Sequence, residues 1–315
     1  MSAYHNEKQI ISFRSALILA ALIALAYTAN SVLVTNQELR MAISDVATVL
    51  IGLLVTLGLL NAANRSAIYG RQVRLAWTVL ALAQFSQAIG DIIWAIEEVV
   101  LHQSPFPSLA DVPYLAYYPI FALGILLLPR VPLTSSEKLK VFLDTGIVMI
   151  ASSILFWVLL IAPTIQSSVG ADNLTTTLAV AYPVMDLVLL FGLTEMLFRR
   201  IKSTGLGPMM LLLIGTSVLI ATDCIFMSQS LNNSYVSGGL LDTGWIVSYL
   251  LVGLASVLQA DSLKFDSSFQ AIDPKDIQFT WPLYLPYLLA GATFILLVWS
   301  YNHPSQSVSQ FYHGE

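Results

Sequence analysis

The sequence predicts an all-α polytopic membrane protein of about nine transmembrane helices, arranged as two parallel four-helix repeats plus one extra helix. Three observations predict it. Apolar stretches of bilayer-crossing length recur along the chain, thirteen of its fourteen Lys and Arg fall on one side of them, and a pattern of Asp and aromatic residues returns after 131 or 132 positions. A composition of 57% hydrophobic and 10% charged residues, with mean hydropathy +0.75, is far from that of soluble domains. The net charge of −5 therefore says little about partners.

Crossing a bilayer takes about 20 helical residues. Stretches of that kind run over 14–34, 42–63, 75–100, 113–129, 141–162, 177–198, 207–229, 240–260 and 279–301. With alternate connections placed in the cytoplasm, the basic residues follow: Lys8 and Arg14 before the first span, then Arg65, Arg71 and Arg74 after the second. Arg130, Lys138 and Lys140 follow the fourth span, Arg199, Arg200 and Lys202 the sixth, and Lys264 and Lys275 the eighth; Arg40 alone lies outside. Lys and Arg beside a span resist translocation, so the expected topology has a cytoplasmic N-terminus in the cell membrane.

The organisation expected is a cytoplasmic tail over 1–13, one membrane repeat over 14–130, a second over 131–260, a cytoplasmic loop over 261–278, the extra helix over 279–301 and an extracytoplasmic tail over 302–315. The first apolar run is too long for a cleavable signal peptide and is expected to serve as the targeting signal itself. Trp281, Tyr284, Tyr287, Trp299 and Tyr301 at the two ends of the last span read as interfacial belts. Ser152, Ser153, Gly215 and Ser217 read as close helix packing. Pro119 and Pro183 are expected to interrupt spans 4 and 6. Cys224 is the sole cysteine, which leaves no intramolecular disulfide and no Cys-based zinc site. His5, His102, His303 and His313 fall in tails or loops, so no pair is placed to hold a haem or metal, and no cofactor is expected. No phosphate-binding glycine loop, Ser-His-Asp set or nucleic-acid-binding basic patch appears. The expectation is therefore neither an enzyme nor a nucleic-acid binder.

The repeat carries the candidate site. Asp91 and Trp94 in span 3, with Asp111, Tyr114 and Tyr118 in span 4, match Asp223 and Phe226 in span 7 and Asp242, Trp245 and Tyr249 in span 8. Within spans 4 and 8, Asp, aromatic and Tyr stand at i, i+3 and i+7, on one helical face. A carboxylate near the bilayer centre costs roughly 2.5–3.5 kcal/mol. Asp91, Asp223 and Asp186 are thus expected to face the bundle interior, with Asp111 and Asp242 at its outer end and Glu97 and Glu98 at the rim. The residues expected to bind a small ligand or ion from outside are Asp91, Trp94, Asp111, Tyr114, Tyr118, Asp186, Asp223, Asp242, Trp245 and Tyr249. Structural readings stay open beside this. Asp111 and Asp242 stand where N-cap residues stand. Asp91 and Asp223 could serve as interhelical hydrogen-bond acceptors, and Asp186 could bond Tyr182 or Thr222.

The segment Pro107-Ser-Leu-Ala-Asp111, with Tyr114-Leu-Ala-Tyr-Tyr118-Pro119 and Leu128-Pro129-Arg130, resembles the membrane input region of prokaryotic signalling proteins of the histidine-kinase and diguanylate-cyclase type. Tyr182-Pro183 with Asp186 and the run Leu241-Asp242-Thr-Gly-Trp245 extend the resemblance over most of residues 40–260. It implies a sensory module, set in a lipid bilayer and read by a signalling partner such as a kinase or cyclase. In that family a further helix returns the chain to a cytoplasmic output domain; here the expected last crossing ends outside, as in a shortened, split or stand-alone module. A proton- or cation-coupled transporter or channel subunit is the competing expectation. Against it, the middles of spans 7 and 8 read as almost wholly apolar, with only Glu195 and Asp144 near the inner ends of spans 6 and 5.

Overall fold

The structure, a computed structural model, describes residues 12–103, 106–129, 133–168, 172–198, 206–232, 234–261 and 284–302. Among the described residues there are nine helices and no strand. They are α1 (Phe13–Leu33), α2 (Gln37–Arg65), α3 (Arg71–Ala95), α4 (Asp111–Leu127), α5 (Ser135–Ser167), α6 (Asn173–Phe198), α7 (Leu206–Leu231), α8 (Asp242–Asp261) and α9 (Leu285–Asn302). Seven are long and apolar enough to cross a membrane, while α4 and α9 are shorter apolar helices. Large apolar side chains such as Leu22, Leu54, Leu57, Phe142 and Phe294 cover the outside, as a bilayer environment demands. Of the residues assigned to tails, loops and belts above, Lys8, Arg130, Arg199, Arg200, Lys202, Lys264, Lys275, Trp281, His5, His303 and His313 lie outside the described residues.

Local sequence sets the helix ends. Ser12 and Asn36 cap α1 and α2 by accepting the N–H groups of Ser15 and Leu39 at 3.2 and 3.1 Å. Thr134 and Glu137 form a reciprocal capping box on α5. Asp172 accepts the Thr175 N–H at 3.1 Å, and its bonds with Thr175 hold the exposed carboxyl below its ordinary value. Gly70, at φ 106°, makes the reversal between α2 and α3 that a side chain would strain. A π turn at Trp157–Ile161 interrupts α5 just before Pro163. Proline has no N–H to return to the preceding turn, and widening relieves its ring's clash with the carbonyl four residues back. In contrast to the sequence expectation, α4 and α6 run unbroken through Pro119 and Pro183.

Six helices close a ring in which α2 packs on α3, α3 on α4, α4 on α6, α6 on α7, α7 on α8 and α8 back on α2. Helix α1 lies against α8 and α2, α5 against α6, and α9 against α5. Trp77, Leu59, Leu80, Phe121, Leu189, Leu212 and Val252 fill the interior. Close approach fixes the α3–α4 pair, where a Cβ added at Gly124 would lie 2.7 Å from Leu80 Cδ2. Hydrogen bonds show which ends meet. Phe13 N–H donates to Asp261 Oδ2 at 3.0 Å, Gln259 Nε2 to Ser66 Oγ at 3.1 Å and Gln72 Nε2 to the Leu127 carbonyl at 3.2 Å. Arg14, Arg65, Arg71 and Arg74 therefore share one end of the bundle. Arg40 sits at the opposite end, where its carbonyl accepts from Asn30.

Candidate functional site

The Arg40 end encloses a set of carboxyl groups. Asp91 projects from α3 toward Gly52 of α2, where a Cβ would stand 3.3 Å from its Oδ2. Tyr114 of α4 donates its hydroxyl to Asp91 Oδ1 at 3.1 Å, and Tyr249 of α8 donates to the same carboxyl at 3.4 Å. Asp223, on α7, accepts from Trp245 Nε1 of α8 at 2.7 Å and from the Tyr118 hydroxyl of α4 at 3.1 Å. Each aspartate thus takes one bond from the helix next in sequence, and one from a tyrosine of the other helix pair. Tyr118 reaches Asp223 and Tyr249 reaches Asp91, a reciprocal exchange.

Asp186 of α6 places its carboxyl within hydrogen-bonding reach of Asp223, while its Oδ1 meets no donor among the described residues. Tyr182 instead donates to Asp111, and the Thr222 hydroxyl turns back to the Val218 carbonyl at 2.8 Å, so neither open partner for Asp186 is used. The N-cap reading of Asp111 and Asp242 needs correction. Both are the first helical residue, and their carboxylates reach backward to the Ser108 and Gly238 N–H groups, each at 2.8 Å. Those amides belong to the turns that lead into α4 and α8, so the carboxylates order the entry loops and do not cap the first helical turn.

A second group lies beside these residues. Trp94 donates to Glu98 Oε2 at 2.7 Å and does not bond Asp91; Ser237 donates to the same oxygen at 2.9 Å. Asp45 of α2 sits against Glu98 and faces Asp242 and Asp91, with its own Oδ2 lacking a donor. Tyr235 donates to Asp242 Oδ1 at 3.2 Å; burial and the nearby Asp242 and Glu98 push that phenol well above its usual range. The segment carrying Tyr235, Ser237 and Gly238 lies over the start of α2, since a Cβ at Gly238 would come within 3.0 Å of the Met41 backbone. With this roof in place, Asp91, Asp111, Asp186 and Asp242 are 2–7% exposed. Among the described residues the carboxyl groups are enclosed, with no open mouth around them.

All ten sequence-predicted residues lie at this end. Six of them, Asp91, Tyr114, Tyr249, Asp223, Trp245 and Tyr118, bond one another, and Asp186 adjoins Asp223, whereas Asp111 bonds Tyr182 and Ser108, and Asp242 bonds Tyr235 and Gly238. Trp94 joins through Glu98 and through its ring, 6.3 Å from that of Tyr114. Asp45, Tyr235 and Ser237 were not foreseen. An aspartate inside the apolar stretch 42–63 was a usable signal for Asp45, whereas the roof segment carries none. Among the described residues, no three His, Cys, Asp or Glu side chains converge as a metal-ion ligand set. A groove of about 560 Å³ does open elsewhere, near the Lys138 end of α5, lined by Leu126, Phe142, Thr145, Gly146, Met149, Phe191 and Glu195, and none of the predicted residues borders it.

No family model, curated protein or solved structure matches this chain.

Buried carboxyl groups joined by phenol and indole donors can take up a proton or a small cation, because each added charge or proton redistributes the donors that hold the helices together. Two carboxyl groups in mutual contact, as at Asp186 and Asp223, form a hydrogen bond only when one of them carries a proton.

Proposed function

We propose that this chain is a membrane sensory module of the prokaryotic cell membrane, in which a proton or small cation arriving at the Arg40 end changes the packing of two four-helix halves. The reading is of nine spans, a cytoplasmic N-terminus, and halves α1–α4 and α5–α8 related by an axis along the membrane normal. The observation that carries it is the exchange of Tyr118 and Tyr249 between Asp223 and Asp91. Tyr118 and Tyr249 are 131 positions apart, Tyr114 and Trp245 also 131, and Asp91 and Asp223 132, so equivalent residues perform equivalent bonds. The helix contacts follow the same exchange, with α2 on α8 matching α6 on α4. A ligand can shift such an equilibrium only through different affinity for two arrangements, and hydrogen bonds that cross the boundary between halves supply that difference. A kinase or cyclase partner that reads the change fits the resemblance of the Pro107–Asp111 and Leu241–Trp245 segments to signalling input modules.

Trp245 supplies the readout, since its indole bonds Asp223 directly. In lipid nanodiscs, the tryptophan emission of the intact protein is expected to shift with pH, and the shift is expected to vanish when Asp91→Asn and Asp223→Asn are combined. An unchanged shift in that double variant defeats the proposal. Transport is the second reading, and the buried polar groups on the other side of Asp91 favour it.

A further inference from the structure

The polar face of α3 continues past Asp91 toward the Arg71 end. Gln84, Gln87, Asp91, Trp94 and Glu98 recur at three- and four-residue intervals and so share one side of the helix. Gln84 is 0% exposed, yet neither its amide oxygen nor its amide nitrogen has a hydrogen-bond partner among the described residues. Gln87 lies beside the Tyr249 hydroxyl and leaves its own Oε1 unpartnered among the described residues. Buried amides without protein partners are where ordered water is found in proteins, since a water can serve donor and acceptor together.

Further polar groups extend this side of the interior. Helix α8 carries Ser256 at 0% and Gln259 at 3% exposure, seven and ten residues beyond Tyr249. Gly58 of α2 leaves room for Ser256, whose Oγ would lie 2.7 Å from an added Cβ. Gln259 then bonds Ser66 at the end of α2. The sequence pattern of apolar middles in spans 7 and 8 gave little sign of these groups, because they are spread over α2, α3 and α8 and no single helix shows them all.

We propose that Gln84 and Gln87 hold ordered water that connects Asp91 with the Ser66–Gln259 end, making a proton path through the bundle. The path rests on Asp91 as a proton-binding group, as the sensory reading also does. Asp91 is faced by Tyr114 from α4, Tyr249 from α8 and Asp45 from α2. A proton accepted by the Asp91 carboxylate moves on by exchange along hydrogen-bonded water and leaves at the far end. The amides and hydroxyls end in the state in which they began.

The test uses the full chain in liposomes that enclose a pH-sensitive dye, with potassium and valinomycin balancing charge. Wild-type protein is expected to dissipate an imposed pH gradient faster than protein-free liposomes. Gln84→Leu and Asp91→Asn are each expected to slow the protein-dependent rate by at least about tenfold, in keeping with loss of a proton-relay group. Gln84→Leu is expected to keep or raise the melting midpoint, because it removes an amide that has no partner among the described residues; Gln84→Met provides a volume-matched second variant. A wild-type rate equal to that of empty liposomes, or Gln84 variants as fast as wild type, overturns the path. Tryptophan emission recorded on the same samples separates the two ideas. A pH response without flux removes the path and leaves the sensory reading, and flux without a pH response does the reverse.

Discussion

Replacing Asp223 by Ala is expected to destabilise the bundle by about 2–4 kcal/mol, because it strands two buried donors at once, each with a desolvation cost of about 1–3 kcal/mol. Trp245 Nε1 and the Tyr118 hydroxyl both end on this carboxyl, at 2.7 and 3.1 Å, and Asp223 is the group that joins α7 to α4 and α8. Asp223→Asn keeps an acceptor oxygen in place, so its expected cost is nearer the roughly 0.6 kcal/mol average for interhelical hydrogen bonds in membranes. The contrast between the two variants is the diagnostic quantity. Equilibrium unfolding of the purified protein in mixed micelles measures it, and equal stability of the Ala and Asn variants would show that the donors find other partners.

A second destabilising effect is expected from Gly90→Val. Gly90 lies on α3 against the ring of Tyr114, so closely that any Cβ would overlap the ring atoms. Overpacking of this kind typically costs about 1–3 kcal/mol. Here it also drives the Tyr114 hydroxyl away from Asp91, leaving that carboxyl with Tyr249 as its remaining phenol donor. Tyr114 cannot retreat freely, since Trp94 packs beside it with ring centroids 6.3 Å apart. The expected outcome is a lowered melting midpoint together with a weakened pH response of tryptophan emission. Adding Tyr114→Ala to Gly90→Val should recover part of the stability, because it removes the clashing ring, but not the pH response. Gly244 of α8 approaches the Thr222 side chain of α7 as closely, and Gly244→Val is expected to lower the melting midpoint as well.

The asymmetry between the two aspartates bears on which of them responds first. Asp223 has a second carboxyl, Asp186, in contact with it, whereas Asp91 faces the bare backbone of Gly52 at the corresponding approach of α2. Protonation at the Asp186–Asp223 pair removes a repulsion between carboxylates. At Asp91 it changes the pattern of phenol donation and eases the repulsion from the facing Asp45, which is not in direct contact with it. The two aspartates therefore share a pattern of donors but not a chemistry, and the Asp186 side is where a proton is expected to have the greater effect on packing.

Much of this protein was legible from its residues alone. Apolar runs of spanning length must become helices in a bilayer, since no other local structure satisfies the backbone there, and the helices found follow those runs. The offset pattern of Asp, aromatic and Tyr placed ten residues at one end of the bundle for the same reason that it could be read at all, because helical spacing alone decides which side chains share a face. Pairing between faces is a different matter. That Tyr118 serves Asp223 and not Asp91, that Asp111 and Asp242 bond the turns before them, that the segment around Ser237 closes over Glu98, and that Ser256 and Gln259 meet Gly58 and Ser66 of the α2 side all depend on which helices the ring brings together. Sequence spacing carries the periodicity of one helix. Contacts between α4 and α7, or among α2, α3 and α8, arise only when six helices close against each other, and only the tertiary structure decided them.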